Sequence, residues 1–596
     1  MQQYNTVPEM LTEVCKKHPN NIAYKYKNGE NFTDIKFEEV YNLVEKLSLS
    51  FLELGIKKGD RVGLVSENRF EWVISSFAIN SIGAVDVPIF PILTSEQESY
   101  IFNDCEATAV IVSNKFQLSK IMKVKDKIKS LRQIIIFEDV DEKDINVKTF
   151  DELIKNGEQL LKNNSNTFLD KAAAVETNDL LTLIYTSGTT GDPKGVMLSH
   201  KNILSNVAGA TDLNIIRADD TALSYLPFCH AFERTTGFYT LFSYGACCAI
   251  AESIDAVPRN IKEVSPTVMT TVPKLMETIK KKIFSQMERE GGMKLKIFNW
   301  AVGVGSKKVK NQSNRKSSFL NDKAYGMADK LVFSKIREKM GGRLDRFISG
   351  GAALPYEVAE FFTMIGLEVF QGYGLTETSP CISCNNSDNN ELGTIGQVML
   401  NQDVKIGSDG EILVKGPNVM MGYWNNEKAT KEAINEEGWL HTGDIGEFTE
   451  KGNLRITDRK KNIFVNKGGK NIAPQPVESA LNLSIYVNQI VLIGDNKEYN
   501  IALIHCNDEP LIELANKLDI DSKNLKELRN NPIIIKEIKR NLDLFQKHFA
   551  KYEQARKISL LENPLTIENG ELTPKQSIKR HIVIDNYKET IEQLYS

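Results

Sequence analysis

A chain of 596 residues is too long for one hydrophobic core, so two or more domains are expected. Hydrophobic residues make up 41% and charged residues 26%, as in a soluble globular protein, and eight cysteines over this length do not suggest a disulfide framework, which favours a reducing compartment. A net charge of −4 supplies no overall field for nucleic acid, and the start MQQYNTVPEMLTEVCKKHPN has no apolar core behind a basic end, so a cytoplasmic protein without a secretory leader is expected.

Over roughly the first four hundred residues, strand and helix signals alternate. DRVGLVSEN (60–68) reads as a strand, FEWVISSFAINSIGA (70–84) as a helix and VDVPIF (85–90) as a strand. ATAVIVSN (107–114), RQIIIFED (132–139) and LLTLIYT (180–186) are further short apolar runs bounded by turn formers. The alternation predicts α/β architecture with buried sheets. NNSNT (163–167) and NQSNRKSSFLNDK (311–323) are polar stretches expected to be loops. The uncharged run Thr235–Ala251 is broken by Thr, Ser, Gly and Tyr, and is expected to be buried core rather than a membrane span.

Charge is unevenly placed. Lys274 to Arg346 holds 19 Lys/Arg against 7 Asp/Glu, a surplus of 12, so the rest of the chain sums to −16. A solvated helical insertion accounts for such a block, and so does a surface for a polyanionic cofactor or an anionic membrane. After GNLRITDRKKNIFVNKGGKNIAP (452–474) the texture changes. A helix signal, QPVESALNL (475–483), precedes two strand candidates, NQIVLIG (488–494) and NIALIHC (500–506); amphipathic helices follow, the last being IVIDNYKETIEQLY (582–595). This predicts a large body over 1–458 and a small α+β unit over 459–596, with a cleft between them.

The stretch YTSGTTGDPKG (185–195) follows a strand signal with hydroxyls, glycines and a lysine. Backbone N–H groups freed by glycine and a mobile ammonium make a cradle for a polyphosphate. It is not a Walker A loop, since no G-x-x-x-x-G-K-[ST] occurs in the chain. Alone, such a loop is more often a plain turn, but it has companions. SGGAALP (349–355) is a second glycine turn entering a helix, QGYGLTET (371–378) carries an aromatic ring, two glycines and a carboxylate, WLHTGDIG (439–446) offers an aspartate, and DRKKNIF (458–464) an arginine.

In this order and spacing, YTSGTTGDPKG, GYGLTET, HTGD and DRKKNIF resemble the core motifs of the adenylate-forming enzymes, which include acyl-CoA synthetases, beetle luciferases and peptide-synthetase adenylation domains. The likeness spans nearly the whole chain. SYLPFCHAFER (224–234) and GWLHTGDIGEFTEKGNLRITDRKKNIF (438–464) are similar to the long-chain fatty acyl-CoA synthetase branch. The resemblance implies a ligase that couples MgATP and a carboxylic acid to acyl-AMP and pyrophosphate, then displaces AMP with the thiol of coenzyme A. Its substrates would be a fatty acid, ATP and CoA, with Mg2+ as the metal. Peripheral membrane contact and a monomer or homodimer are both compatible with it. Transfer to a carrier protein, a different acid, and an adenylate-binding scaffold without catalysis are the alternatives.

The resemblance also implies roles. Thr186, Ser187, Gly188, Thr189, Thr190, Gly191 and Lys194 would hold the β- and γ-phosphates. Tyr373, flanked by Gln371, Gly372 and Gly374, would pack against adenine, with Gly350, Gly351 and Ala352 opposite. Thr376 would contact the α-phosphate, Glu377 would bind Mg2+, and Asp444 and Arg459 would meet the ribose. His230 matches a position beside the substrate carboxylate and thiol path, against the plainer reading of a core histidine. Lys461 matches the hinge about which the small domain swings, and Gly468 and Gly469 would let a loop approach the pantetheine arm. One departure stands out: where the branch has L-T-P-T-x-K-x-K-R, this chain has LTPKQSIKR (572–580), with Ser577 at the adenylation lysine's place. Lys575 is the expected substitute, with Lys579 as the second choice. Cys381 and Cys384 form a C-x-x-C without a second pair, and are expected to line core or tunnel.

Overall fold

The computed structural model describes residues 4–140, 147–163, 166–186, 192–313, 318–460, 462–521, 523–573 and 578–596. The expected α/β architecture is present. Among the described residues, an eight-stranded sheet runs in the order Gly422–Tyr423, Lys194–Ser199, Leu180–Thr186, Val85–Ile89, Arg61–Val65, Ala107–Val112, Gln133–Ile136 and Val147–Thr149. Its last six strands pair in parallel. The fully buried runs VDVPI and ATAVIV form such strands because both sheet faces are covered, so every side chain must be apolar or paired.

A nine-stranded sheet lies across the core from it. It runs from Asn31–Lys36 through Ile22–Asn28, Cys247–Ile250, Thr221–Ser224, Val268–Thr271, Arg346–Ser349, Glu368–Gly374 and Cys381–Cys384 to Gln397–Val398. Between the two sheets, Trp72 and Phe77 of the helix Phe70–Ser81 meet Phe228, Phe238 and Phe242 ring to ring. Phe238 and Phe242 belong to the uncharged run, which is buried as expected: a π-helical segment, Glu233–Thr240, followed by a short α-helix and the strand Cys247–Ile250. No helix among the described residues is long and apolar enough to cross a membrane.

The buried pair Arg234–Asp86 ties the two sheets together. Arg234 also donates to Thr182 (3.0 Å), Ser76 (3.2 Å) and Tyr239 (3.1 Å), and its guanidinium lies 5.5 Å from the Trp72 ring. Burial opposes the guanidinium's charge, but Asp86 and Tyr239 outweigh it and push the pKa up.

Beyond Phe464 the chain builds cores of its own on a three-stranded sheet, Val487–Ile493, Asn500–Cys506 and Ala555–Leu560. Ile490, Leu492, Ala502 and Ile504 face one cluster, while Val491, Ile493, Ile501 and Leu503 face the other, the period-two alternation of a sheet covered on both sides. The helix Pro273–Glu290 of the larger body reaches this unit. Lys274 and Lys281 donate to the carbonyls of Asn488 and Val487, each at 3.3 Å, and Arg289 meets Glu509 and Glu513.

Two local expectations are corrected, and a third, at NNSNT, is narrowed at its ends. Residues 311–313 end a 22-residue helix, Gly292–Ser313, and Phe319–Ala328 is another, so the described part of 311–323 is mostly helical. Ser318 caps the second helix by accepting the Asn321 N–H, and Lys308 pairs with Asp322 across the two. At NNSNT, the helices Phe150–Asn163 and Thr167–Ala173 close in from both sides. The final helix is two, Arg580–Asn586 and Lys588–Tyr595, broken at Tyr587, where the Asn586 amide turns to Glu571 (3.1 Å).

Candidate active site

Two polar junctions gather most of the described candidate residues. The first is built by strand register. Asp444 and Arg459 stand directly opposite one another on the antiparallel strands Leu440–Phe448 and Leu454–Arg459, and their side chains pair at 3.1 Å. The Tyr373 hydroxyl donates to the other Asp444 oxygen at 2.6 Å. Asp444 is only 3% exposed, so burial raises its pKa, opposed by Arg459 and the Tyr373 hydroxyl. Burial and the neighbouring carboxylate push the Tyr373 phenol well up, so it stays a donor. Glu411 braces the turn before Asp444, accepting from the Gly443 N–H (2.8 Å), His441 (3.1 Å) and Lys460 (3.1 Å). Burial opposes its charge, yet these bonds hold the carboxyl below its usual range.

Tyr373 arrives on the strand Glu368–Gly374, parallel to Arg346–Ser349 with Ser349 beside Gln371. Gly350, Gly351 and Ala352 therefore leave the neighbouring strand at the level of Gln371, Gly372 and Gly374, at the strands' carboxyl ends where α/β sheets form binding crevices. Gly351 and Ala352 are exposed. Gly350 packs on the Phe232 ring so closely that a Cβ would stand 2.9 Å from it. At Gly374 a Cβ would lie 1.7 Å from the Pro380 carbonyl oxygen, so only glycine lets the returning strand Cys381–Cys384 close.

The second junction joins Lys194 to Glu377. Thr186 and Lys194 are paired ends of the antiparallel strands Leu180–Thr186 and Lys194–Ser199. Ser187, Gly188, Thr189, Thr190 and Gly191 lie outside the described residues. Tyr423 bridges the two charged groups: its hydroxyl donates to Glu377 at 2.9 Å, and the Lys194 ammonium stands 5.1 Å from its ring centre. Burial first, then the carboxylate, raise the Tyr423 pKa. Three features fix Tyr423: its strand pairing with Val196, the Trp424 N–H bond to Gly195 O (2.7 Å), and the Trp424 indole bond to Asp104 O (2.9 Å). The same segment holds the turn Thr376–Thr378, since Met420 N–H donates to Glu377 O at 2.9 Å. Thr376 is buried in that turn. Among the described residues no group of three or more His, Cys, Asp or Glu could hold a metal ion, and Glu377 stands as a single carboxylate.

His230 sits where the strand Thr221–Ser224 leads into the π-helical segment. Its Nδ1 accepts the Phe232 N–H at 3.2 Å, which puts the proton of the neutral ring on Nε2. Beneath it, Glu233 is fully buried and accepts from the Ser224 and Thr270 hydroxyls; burial pushes it up to about 7 despite these bonds. Gly468 and Gly469 occupy an exposed hairpin turn closed by Asn466, and its bonds join neither junction. Lys461 and Lys575 lie outside the described residues. Lys579 opens the helix Arg580–Asn586, its N–H bonded to Glu571 O at 2.8 Å. All eight cysteines are free, and Cys384 packs in the core between the sheets, as expected of the C-x-x-C.

Sequence reasoning missed Tyr423, Glu411, Glu233 and the Arg234–Asp86 pair. The one readable signal was GYW (422–424), two aromatics behind a glycine, too short to register as a strand.

The pattern defining the family described as "AMP-binding enzyme" matches residues 11–424, and that of the "AMP-binding enzyme C-terminal domain" matches 461–596. The long-chain-fatty-acid–CoA ligase FadD15 of Mycobacterium bovis is 30% identical over 100% of this chain and 98% of its own length. The long-chain-fatty-acid–CoA ligase ACSBG2 of Homo sapiens is 30% identical over 99% of this chain and 92% of its own. Among solved structures, the A-PCP didomain of carboxylic acid reductase from Segniliparus rugosus superposes with a TM-score of 0.76 over 100% of this chain and 83% of that one; at 19% identity it shares the fold. Motifs, fold and full-length relatives agree, and the chain belongs to the adenylate-forming AMP-binding enzyme family.

Proposed function

We propose that this chain is an ATP-dependent, AMP-forming ligase that converts a long-chain fatty acid, through its acyl-adenylate, to the coenzyme A thioester. The observation that carries the reading is the pair of junctions: a buried carboxylate shared by a phenol and a guanidinium, and a lysine and glutamate held on one tyrosine. Asp444 and Arg459 suit a ribose, offering an acceptor and a donor at one place. Tyr373 and the glycine wall from Gly350 suit a flat base. Lys194, with the hydroxyl- and glycine-rich sequence before it, suits the β- and γ-phosphates.

Bringing a carboxylate to a triphosphate sets two anions against each other, so fixed positive charge must offset the repulsion. Glu377 fits a hard divalent cation such as Mg2+, since it offers carboxylate oxygen beside the phosphate lysine. It would hold the ion, which when bound supplies neutralising charge along the phosphates. In the first half-reaction the acid's oxygen bonds to the α-phosphorus and pyrophosphate departs. In the second, the CoA thiol sulfur bonds to the acyl carbon, its proton is lost, and AMP leaves with the electron pair. His230, with its proton on Nε2, would orient the acid's carboxylate. We place the division of large and small bodies at 458/459, with Lys461 as hinge, Gly468 and Gly469 on the thiol side, and Lys575 or Lys579 as the adenylation lysine. The relatives named as long-chain-fatty-acid–CoA ligases support the choice of acid.

The test is pyrophosphate and acyl-CoA formation from MgATP with acids from acetate to oleate, with and without CoA. Thioester output rising with chain length is expected. Pyrophosphate release without a CoA thioester would point to a carrier-protein acceptor, and no turnover with any acid would sink the enzyme reading.

A further inference from the structure

The strongest feature outside the two junctions is the outward face of the helix pair Gly292–Ser313 and Phe319–Ala328, together with the residues just after it. Of the twenty large hydrophobic side chains exposed among the described residues, six fall in the 39 residues from Met293 to Leu331: Met293, Trp300, Phe319, Leu320, Met327 and Leu331. Phe319 and Leu320 are 71% and 79% exposed. Such a concentration is unusual, since scattered single hydrophobics are the norm at a protein surface.

Helical periodicity sorts the side chains. In the first helix Phe298, Ala301, Gly305 and Val309 point inward, while Met293, Lys296, Trp300, Lys307 and Lys310 recur on the exposed stripe. In the second, Phe319, Leu320, Lys323 and Met327 are exposed and Ala328 is buried. Ala301, Val309 and Ala328 enter the same core, so both exposed stripes face away from the protein.

Charge on this face is one-sided. The described residues from Met293 to Leu331 include seven lysines and two aspartates. Both aspartates are already engaged, Asp322 with Lys308 and Asp329 with Arg337 (2.7 Å). Lys296, Lys307, Lys310 and Lys330 make no ion pair among the described residues.

We propose that this face docks the protein on the surface of an anionic phospholipid bilayer. Lysines interleaved with Trp, Phe, Leu and Met on one side of a helix are the composition of an interfacial helix, whose apolar side chains enter the headgroup boundary while the ammonium groups meet lipid phosphates. A second copy is the poorer partner, because an isologous contact would set lysine against lysine. The proposal does not depend on which acid the enzyme activates, and it is read without turnover.

The test is sedimentation of the full chain with phosphatidylcholine vesicles, with and without one-third phosphatidylglycerol, at low and high salt. Pelleting is expected only with the anionic lipid and is lost in high salt. Lys296→Glu/Lys307→Glu/Lys323→Glu should weaken partitioning roughly a hundredfold, at about one kcal/mol per lysine, and Phe319→Ser/Leu320→Ser should weaken it with the salt dependence retained. Trp300 supplies a second readout on the unaltered protein: acyl-brominated lipid should quench a fluorescence component that Trp300→Phe removes. The proposal is overturned by failure to pellet with anionic vesicles at low salt, by undiminished pelleting of both variants, or by self-association that the Phe319/Leu320 variant abolishes in the absence of lipid binding.

Discussion

At the scale of single residues, Tyr423 is the most consequential side chain at the site. It holds Glu377 by its hydroxyl and Lys194 by its ring, so one substitution separates the two effects. Tyr423→Phe keeps the ring and removes the donor to a charged acceptor, a loss of about 1.5–3 kcal/mol. Pyrophosphate formation should fall roughly ten- to a hundredfold in kcat/KM for MgATP, with the melting temperature lowered by only a few degrees; an unaltered kcat/KM would mean that the hydroxyl has no part in placing Glu377. Asp444, Arg459 and Glu377 were legible as candidate positions because each sits in one of the short motifs that carry the family resemblance. Tyr423 was not, because its meaning arises where residues near 194, 377 and 423 converge, and no local period records that.

At the scale of elements, the π-helical segment Glu233–Thr240 sets a buried carboxyl beneath His230 and Phe232. Its π geometry, like the caps that carry helix into 311–323, depends on which side chains find buried partners, which pattern counting does not see. Glu233 faces the Ser224 and Thr270 hydroxyls, with Tyr225 and Cys248 nearby, and burial outweighs those two hydrogen bonds. A folded pKa of about 7 against 4.5 means that the native state binds the proton more tightly than the unfolded one. This contribution is complete below about pH 4.5 and is lost as pH rises through 7, by on the order of 3 kcal/mol. Glu233→Gln, permanently neutral, should therefore gain stability relative to the parent between pH 5 and pH 8 in urea titrations. A constant difference across that range would remove the titration from Glu233.

At the scale of the whole molecule, the buried Arg234–Asp86 pair links the segment between two strands of the nine-stranded sheet to a strand of the eight-stranded one. Asp86→Ala leaves a guanidinium buried without its counter-charge, which costs about 3–5 kcal/mol. Replacing both partners, Asp86→Leu with Arg234→Met, should restore most of that in denaturant midpoint; a double variant as weak as the single would show that the cost lies in the lost bonds of the pair and not in an uncompensated charge. The two sheets were legible in outline, because buried parallel strands are written as continuous apolar runs. Their cross-link was not, since Asp86 lies inside such a run and looks like an interruption of it.

The helix Pro273–Glu290 grips the C-terminal unit through Lys274 and Lys281, and both ammonium groups are accepted by main-chain carbonyls rather than side chains. A carbonyl is present whatever residue carries it. These two bonds are therefore blind to the side chains at positions 487 and 488, which are held by other contacts: Val487 by the core of the C-terminal unit and Asn488 by His505. The exposed Arg289 contacts do ask for particular partners, and exposed pairs contribute little. The two lysine bonds thus read where the backbone stands, not which side chains it carries.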